Sequence, residues 1–387
     1  MLYPQPVLAF ILGACLGLPH AVFAHALSSE TTTLSLTQPT EIRASSGQKK
    51  ITWSLSLGGE KRQDEFSNQK SQFSLGLNMQ FDFELNSWLS LNVSPLVFSK
   101  SGYIQSQDIS SAEGSGIELK NAALMIQPYS GGSVLLGALN QQKTHTTLLV
   151  DDKAFPAAKL ILGNNPQSLN QFGGYGQAAI PSAASSTNSS HDTEKNPSLS
   201  AVGIYYNFND VYLKWKNKVG RFQYRSLPLS VSTKSVLIGN SGVSTSGTDM
   251  LFAHDFEGTE FQTQLDWTLS KIEFTIKGES VKNDKAPSGS NEALLGKISG
   301  IYRMNRHWAI VPEYTYYRIQ EDAVVAYYNG SFLNSNYAGY KGGLGLEWSK
   351  SMKFSVLGGE RVPLVEKTTQ SKETTFMLLM ETYNAAI

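Results

Sequence analysis

The chain has 387 residues, with 32 Lys and Arg against 32 Asp and Glu, so its formal net charge is zero. Equal counts argue against a polyelectrolyte partner such as nucleic acid, which a basic excess would announce. Only 17% of residues are charged, while Ser, Thr, Asn, Gln and Gly are abundant; this suits a chain kept soluble before it folds, and a secreted soluble β protein shares it.

Val7 to Leu18 is an apolar run, followed by the small-residue cleavage patterns Val22-Phe23-Ala24 and Ala24-His25-Ala26. We read 1–24 as a cleaved secretory signal. Pro19 and His20 interrupt the run, which is too short to anchor in a bilayer. The only cysteine, Cys15, stands in Leu12-Gly13-Ala14-Cys15. That lipobox-like sequence makes lipidation the alternative, although Leu16, Gly17 and Leu18 continue the apolar run where a lipoprotein's mature end turns polar. Cleavage after 24 removes the cysteine and with it disulfide or thiolate chemistry. Residues 25–50 are Ser/Thr-rich without sustained alternation and read as a periplasmic leader, partly disordered.

From Ile51 the chain becomes rhythmic. Strand one is 51–58, with Trp53, Leu55 and Leu57 on one face. Phe73, Leu75, Leu77, Met79 and Phe81 alternate with Ser74, Gly76, Asn78 and Gln80, and Leu89, Leu91, Val93 and Val97 follow after a few residues. Period-2 alternation gathers the apolar side chains on one face of a strand. Further strands are expected at about 116–127, 133–140, 199–208, 211–217, 259–269, 271–281, 293–303, 307–319, 337–348, 352–361 and 373–383. Pro312 lacks an N–H and predicts a local defect in its strand. Connections alternate between tight turns and long loops. The expected count is about fourteen strands (12–16), because 159–180 and 220–257 have room for another hairpin.

The longest connection, 141–198, is predicted as one loop folded into the interior, since Leu148, Leu149, Val150, Phe155, Leu160 and Ile161 are too apolar for a solvated segment, with an outward cap on the cell surface as the competing reading. Its middle, 183–197, is low-complexity and reads as mobile. All six tryptophans are Trp53, Trp88, Trp215, Trp267, Trp308 and Trp348. Trp53, Trp88, Trp267, Trp308 and Trp348 are assigned to an aromatic girdle, where an indole bridges lipid tails and wet headgroups; the alternative is a soluble core.

Signal, hairpin rhythm and turn-side aromatics together resemble a Gram-negative outer-membrane β-barrel of porin type over 51–383. The resemblance is architectural. It implies a closed, antiparallel, all-β transmembrane barrel with short periplasmic turns, long extracellular loops and both termini periplasmic. It also implies outer-membrane lipid and the barrel-insertion machinery as partners, and allows a homo-oligomer. One departure is the end of the chain, Tyr383-Asn384-Ala385-Ala386-Ile387, where such barrels usually finish on an aromatic residue.

Inward positions carry both signs of charge, as a wet lumen requires. Pore-lining candidates on the strands are Lys214, Lys216, Lys277, Glu279, Lys297, Arg303, Glu313 and Lys341. Asp151, Asp152, Lys153 and Lys159 are expected at a constriction made by the long loop. The function expected is passive diffusion of small hydrophilic solutes with weak charge selectivity. The alternative is a non-conducting structural or surface-binding barrel, an adhesin or receptor, whose ion pairs only hold strands together. A lipid or fatty-acid transporter needs an apolar interior path, which the charged list opposes. Enzymatic and metal chemistry are not expected, and no cofactor is implied. His145, His191, His254 and His307 are scattered without ligand spacing, and no nucleophile accompanies His254-Asp255. Gly174-x-Gly176-x-x-Ala179 leads into Ile180-Pro181 rather than a helix, which argues against a dinucleotide loop.

Overall fold

The computed structural model describes residues 49–66, 68–103, 114–165, 167–181, 196–246, 249–329, 332–383 and 385–386. The expected signal at 1–24, almost all of the expected leader at 25–50 and most of 183–197 lie outside the described residues. Among the described residues, sixteen antiparallel strands form one closed barrel. They are β1 (Lys49–Asp64), β2 (Gln69–Asn86), β3 (Leu89–Tyr103), β4 (Gly114–Tyr129), β5 (Gly132–Asn140), β6 (Ala154–Gly163), β7 (Asn170–Ala179), β8 (Ser198–Asn209) and β9 (Leu213–Arg225). After a helix α1 (Leu229–Leu237) and a small separate hairpin, β10 (Gly242–Ser246) and β11 (Asp249–Phe252), the wall resumes. Its remaining strands are β12 (Glu257–Leu269), β13 (Ile272–Asn283), β14 (Glu292–Arg303), β15 (Trp308–Ile319), β16 (Tyr337–Trp348), β17 (Met352–Pro363) and β18 (Glu373–Thr382). A two-residue piece, β19 (Ala385–Ala386), continues β18. Each wall strand pairs with its neighbours in sequence, and β1 closes the ring on both β2 and β18. Ala385 and Ala386 pair with Trp53 and Thr52, so the seam runs past Tyr383.

The count is sixteen rather than fourteen because 154–179 contains the wall hairpin β6–β7. This corrects the single inward loop expected over 141–198. Leu160 points outward and is exposed to the surroundings of the barrel; the connections are 141–153, the β6–β7 turn at 164–169 and 180–197. The second region suspected of hiding a hairpin holds α1 and β10–β11, which are not strands of the wall. Near Pro312 the β14–β15 register passes from Ser299↔Glu313 to Tyr302↔Ile310 without a Gly300–Pro312 pair, as a proline without a donor requires.

Alternation sorts the faces. Phe73, Leu75, Leu160, Leu162, Val202, Ile204, Leu344, Leu346, Phe354 and Leu378 are exposed on the outside. That much apolar surface needs a lipid solvent. Trp88 stands in the β2–β3 turn, and Trp267, Trp308 and Trp348 sit exposed beside the short turns, with Trp308 directly opposite Trp348 across β15–β16. Trp53 and Trp215 lie within the turn-side halves of β1 and β9. The six tryptophans thus gather at one rim. Inside, an apolar cluster fills the long-loop end of one flank of the barrel.

Candidate functional site

The interior is organised by the loop 141–153 between β5 and β6, called here the inner loop. Its base is tied locally. Asn140 caps a one-turn 3₁₀ helix, Gln141–Lys143, by accepting from Gln142 N at 3.0 Å. Gln141 N donates to Lys153 O at 2.8 Å, and Asn140 Nδ2 to Asp152 Oδ1 at 2.7 Å. Asp152 has φ of 30°, a left-handed conformation that Asp tolerates through its short polar side chain.

Two carboxylates of the wall hold the crown of this loop. Glu260 on β12 meets His145 Nδ1 at 2.9 Å and accepts from Thr146 N at 2.8 Å. Glu279 on β13 accepts from Thr147 Oγ1 at 3.1 Å and Leu148 N at 3.2 Å. Lysines complete the clasp: Lys218 Nζ donates to Thr144 O at 2.6 Å, Lys159 Nζ to Thr144 Oγ1 at 3.1 Å and Lys277 Nζ to Thr147 Oγ1 at 3.0 Å. Gly203 and Gly220 clear the way for Tyr175, whose hydroxyl crosses from β7 to approach Glu260 Oε1 at 3.4 Å. A Cβ at Gly220 would stand 2.5 Å from that hydroxyl. Buried charges are tolerated only when paired and hydrogen-bonded in this way.

Beyond the clasp, Leu148, Leu149 and Val150 pack into the apolar cluster with Phe155, Phe222, Tyr224, Val231 of α1 and residues 323–328 of the β15–β16 loop. Asp151 N donates to Tyr328 O at 2.9 Å, which joins the two loops. A buried Asn240 locks the β9–β12 connection to the β15–β16 loop: its amide donates to Val324 O at 2.8 Å, and its carbonyl accepts from Ala326 N at 2.9 Å. Lys367, from the β17–β18 loop, donates to Gly239 O at 3.1 Å. The flank from β6 to β16 is therefore filled at its long-loop end, and beside β4 the interior keeps half-exposed polar side chains.

On that open flank Asp152 pairs with Lys120 of β4 at 3.0 Å, and Lys120 also reaches Glu118 at 3.2 Å. The side chains of Asp152 and Glu118 keep 49% and 43% of their exposure. Strand β14 lies eight places from β4 in the ring of sixteen, hence across the lumen. It carries Lys297, 41% exposed and 3.9 Å from Glu313.

The candidate residues thus separate. Lys159, Lys216, Lys277 and Glu279 are buried. This corrects the assignment of Lys216, Lys277 and Glu279 to an open pore lining and of Lys159 to a loop constriction: Lys159, Lys277 and Glu279 are spent on anchoring the inner loop, while Lys216 pairs with Asp266 at 3.7 Å. Lys214 is exposed at the short-turn end. Arg303, also at that end, braces Glu273 and Glu347 at 2.7 and 3.0 Å. Lys297, Glu313 and Lys341 face the lumen together, with the Lys341 ammonium 5.2 Å over the Phe332 ring. Lys153 lies 5.6 Å over Tyr327. Asp151 accepts from Gln142 Nε2 at 3.0 Å; burial, then the charge of Asp152, pushes its carboxyl up to about 6. Burial pulls the Lys143 ammonium below its ordinary value. The anchoring of the inner loop by Glu260 was not legible in the sequence, because nothing local marks its pairing with His145, 115 residues away.

No protein-family model and no curated protein sequence matches the chain. Solved structures do. OprB of Pseudomonas putida superposes with a TM-score of 0.57 at 9% identity, covering 87% of this chain and 94% of that one. In-vitro folded OmpT, an outer membrane protein of Vibrio cholerae, gives 0.51 at 11% identity, covering 87% and 98%. OmpF of Salmonella typhi, in complex with daunomycin, gives 0.50 at 8% identity, covering 86% and 97%. The fold is that of the outer-membrane porins. At such identities the likeness is one of fold and carries no residue roles. The apolar exterior and the tryptophan rim fit a multi-strand barrel that spans a membrane.

Proposed function

We propose that this porin-type barrel is a channel for passive diffusion of small hydrophilic solutes, with weak charge selectivity and no enzymatic activity. The observation that carries the reading is the uneven lumen. One flank is sealed at its long-loop end by the inner loop and the apolar cluster, while charges of both signs stay partly exposed across the lumen, Glu118 and Asp152 beside Lys120 on one wall and Lys297 beside Glu313 on the other. Mixed charge on a wetted path gives a modest preference rather than a filter. Of the histidine–carboxylate pairs, His145–Glu260 has no exposed surface and so does not reach a solute. Asp322, 4.0 Å from His254, is already bound by Ser241 N at 2.9 Å. Outer-membrane lipid, the insertion machinery and a homo-oligomer belong to the same proposal.

Planar-bilayer recording of the purified barrel tests it. Stable, ohmic single-channel currents are expected. A folded barrel that stays silent overturns the channel reading in favour of a structural or surface-binding barrel, which the interlocking of three long loops through Asn240 and Lys367 favours.

A further inference from the structure

We propose that the lumen wall holds a binding site for a small multivalent oxyanion, built from Lys297, Thr315 and Lys341. This rests on the channel reading and adds the chemical class of a preferred solute. Lys297 on β14 and Lys341 on β16 both stand in register with Thr315 on the strand between them. Neighbouring strands are about 4.8 Å apart, so the two lysine Cα atoms are roughly 10 Å apart with the threonine hydroxyl between. The same row continues to Lys277, which faces Lys297 directly across β13–β14. Like charges opposite one another on a sheet are unfavourable, and an anion resting on the row relieves them.

The carboxylates nearby are already shared out. Lys277 is held by Glu279 at 2.5 Å under the inner loop. Glu313 divides itself between Lys297 at 3.9 Å and Lys353 at 4.0 Å, both at the long end of ion-pair range. Among the described residues no carboxylate stands within ion-pair distance of Lys341, whose ammonium rests against Phe332 instead. Across the lumen, Glu118 and Asp152 repel an anion from the β4 wall and leave β14–β16 as the side on which it settles. Two carboxylate or phosphate groups on one solute bridge the two ammoniums, and the Thr315 hydroxyl donates between them. A monoanion engages only one ammonium and binds weakly.

Titration calorimetry of citrate and of pyrophosphate into the folded full-length barrel in detergent reads this site without requiring conduction. The same anions added to single channels read block. Saturable binding of at least one anion is expected. In the double variant Lys297→Gln/Lys341→Gln its affinity falls at least ten-fold, with the thermal unfolding of the barrel retained. Rising salt weakens binding, as expected for a partly exposed ionic site. Binding of citrate alone assigns the site to carboxylates, and of pyrophosphate alone to phosphates. If neither anion binds, or if the folded double variant binds as tightly as the parent, the site is overturned. A conducting barrel that binds neither anion refutes this site and leaves the channel reading intact, whereas a silent barrel that binds an anion does the reverse.

Discussion

Glu260 uses both carboxylate oxygens on the inner loop, one toward His145 and one toward the Thr146 amide. Removing one partner of such a buried charge leaves the other uncompensated, at a cost of about 3–5 kcal/mol. Glu260→Gln keeps the shape and removes the charge. It is expected to lower the unfolding midpoint in denaturant and to add flicker to single-channel currents; a variant with the parent's midpoint and quiet current would show that the loop is held elsewhere. Asp151 brings a titrating carboxyl into the range around neutrality. Its carboxyl is raised to about 6 from an ordinary 3.8. The folded protein therefore binds this proton more tightly than the unfolded chain does. The resulting stability is fully present below 3.8 and lost as pH rises through about 6. Over the same interval a negative charge appears in the lumen. Reversal potentials are expected to move toward cation preference between about pH 5 and pH 7. Asp151→Asn removes that movement and stabilises the fold above about pH 6 relative to the parent, which a pair of titrations checks. Alternation alone placed Lys297, Glu313 and Lys341 inward, because the direction of a strand side chain is a local property. The clasp was not legible, since His145 and Glu260 meet only after the ring has closed.

At the scale of strands, most of the wall could be read because outward positions are large and apolar and inward ones polar. β6 and β7 escaped for definable reasons. β6 begins Ala-Phe-Pro-Ala-Ala, and its inward face carries Phe155 and Ala157, so both faces look apolar. β7 has Gly174, Gly176 and Ala178 on its outward face after Phe172, so the lipid-facing signal fades. Small residues suit a sheet face but give no hydrophobic period. Facing can be tested in a strand that was legible and in one that was not. Leu77 points outward beside Leu55, and Asn78 inward beside Ser54. Arg at a lipid-facing midplane position costs about 2–4 kcal/mol and near the rim less than half of that. Leu77→Arg and Leu160→Arg are expected to reduce the heat-modifiable folded band strongly, and Asn78→Arg only slightly. Equal folding of Leu160→Arg and the parent would return 154–163 to the status of a loop.

The molecule as a whole is a barrel with a small soluble-like core built into one side of its mouth. A bare lumen of sixteen strands leaves an aqueous channel, and here three connections consume part of it. The inner loop contributes Leu148, Leu149 and Val150, the β15–β16 loop contributes 323–328, and α1 contributes Val231. Burying each aliphatic side chain is worth about 1.5–3 kcal/mol, which is enough to hold the loops inside without a covalent tie. On the channel reading, the inner loop is expected to narrow the free cross-section. It can be exchanged without cutting the wall only within 141–153, because β6 starts at Ala154. Replacing 144–150 by a short Gly/Ser linker removes the apolar crown and the clasped amides while keeping Asp151, Asp152 and the base contacts of Asn140. Single-channel conductance is expected to rise and the unfolding midpoint to fall, since Glu260, Glu279 and Lys218 lose their partners. In the parent background, Asp151→Lys with Asp152→Lys is expected to shift the reversal potential toward anions with little change in conductance, because charge is altered and width is not. Loop exchange without a conductance gain, together with an unmoved reversal potential, would place the ion path away from this loop and make the inner loop a stabilising insert.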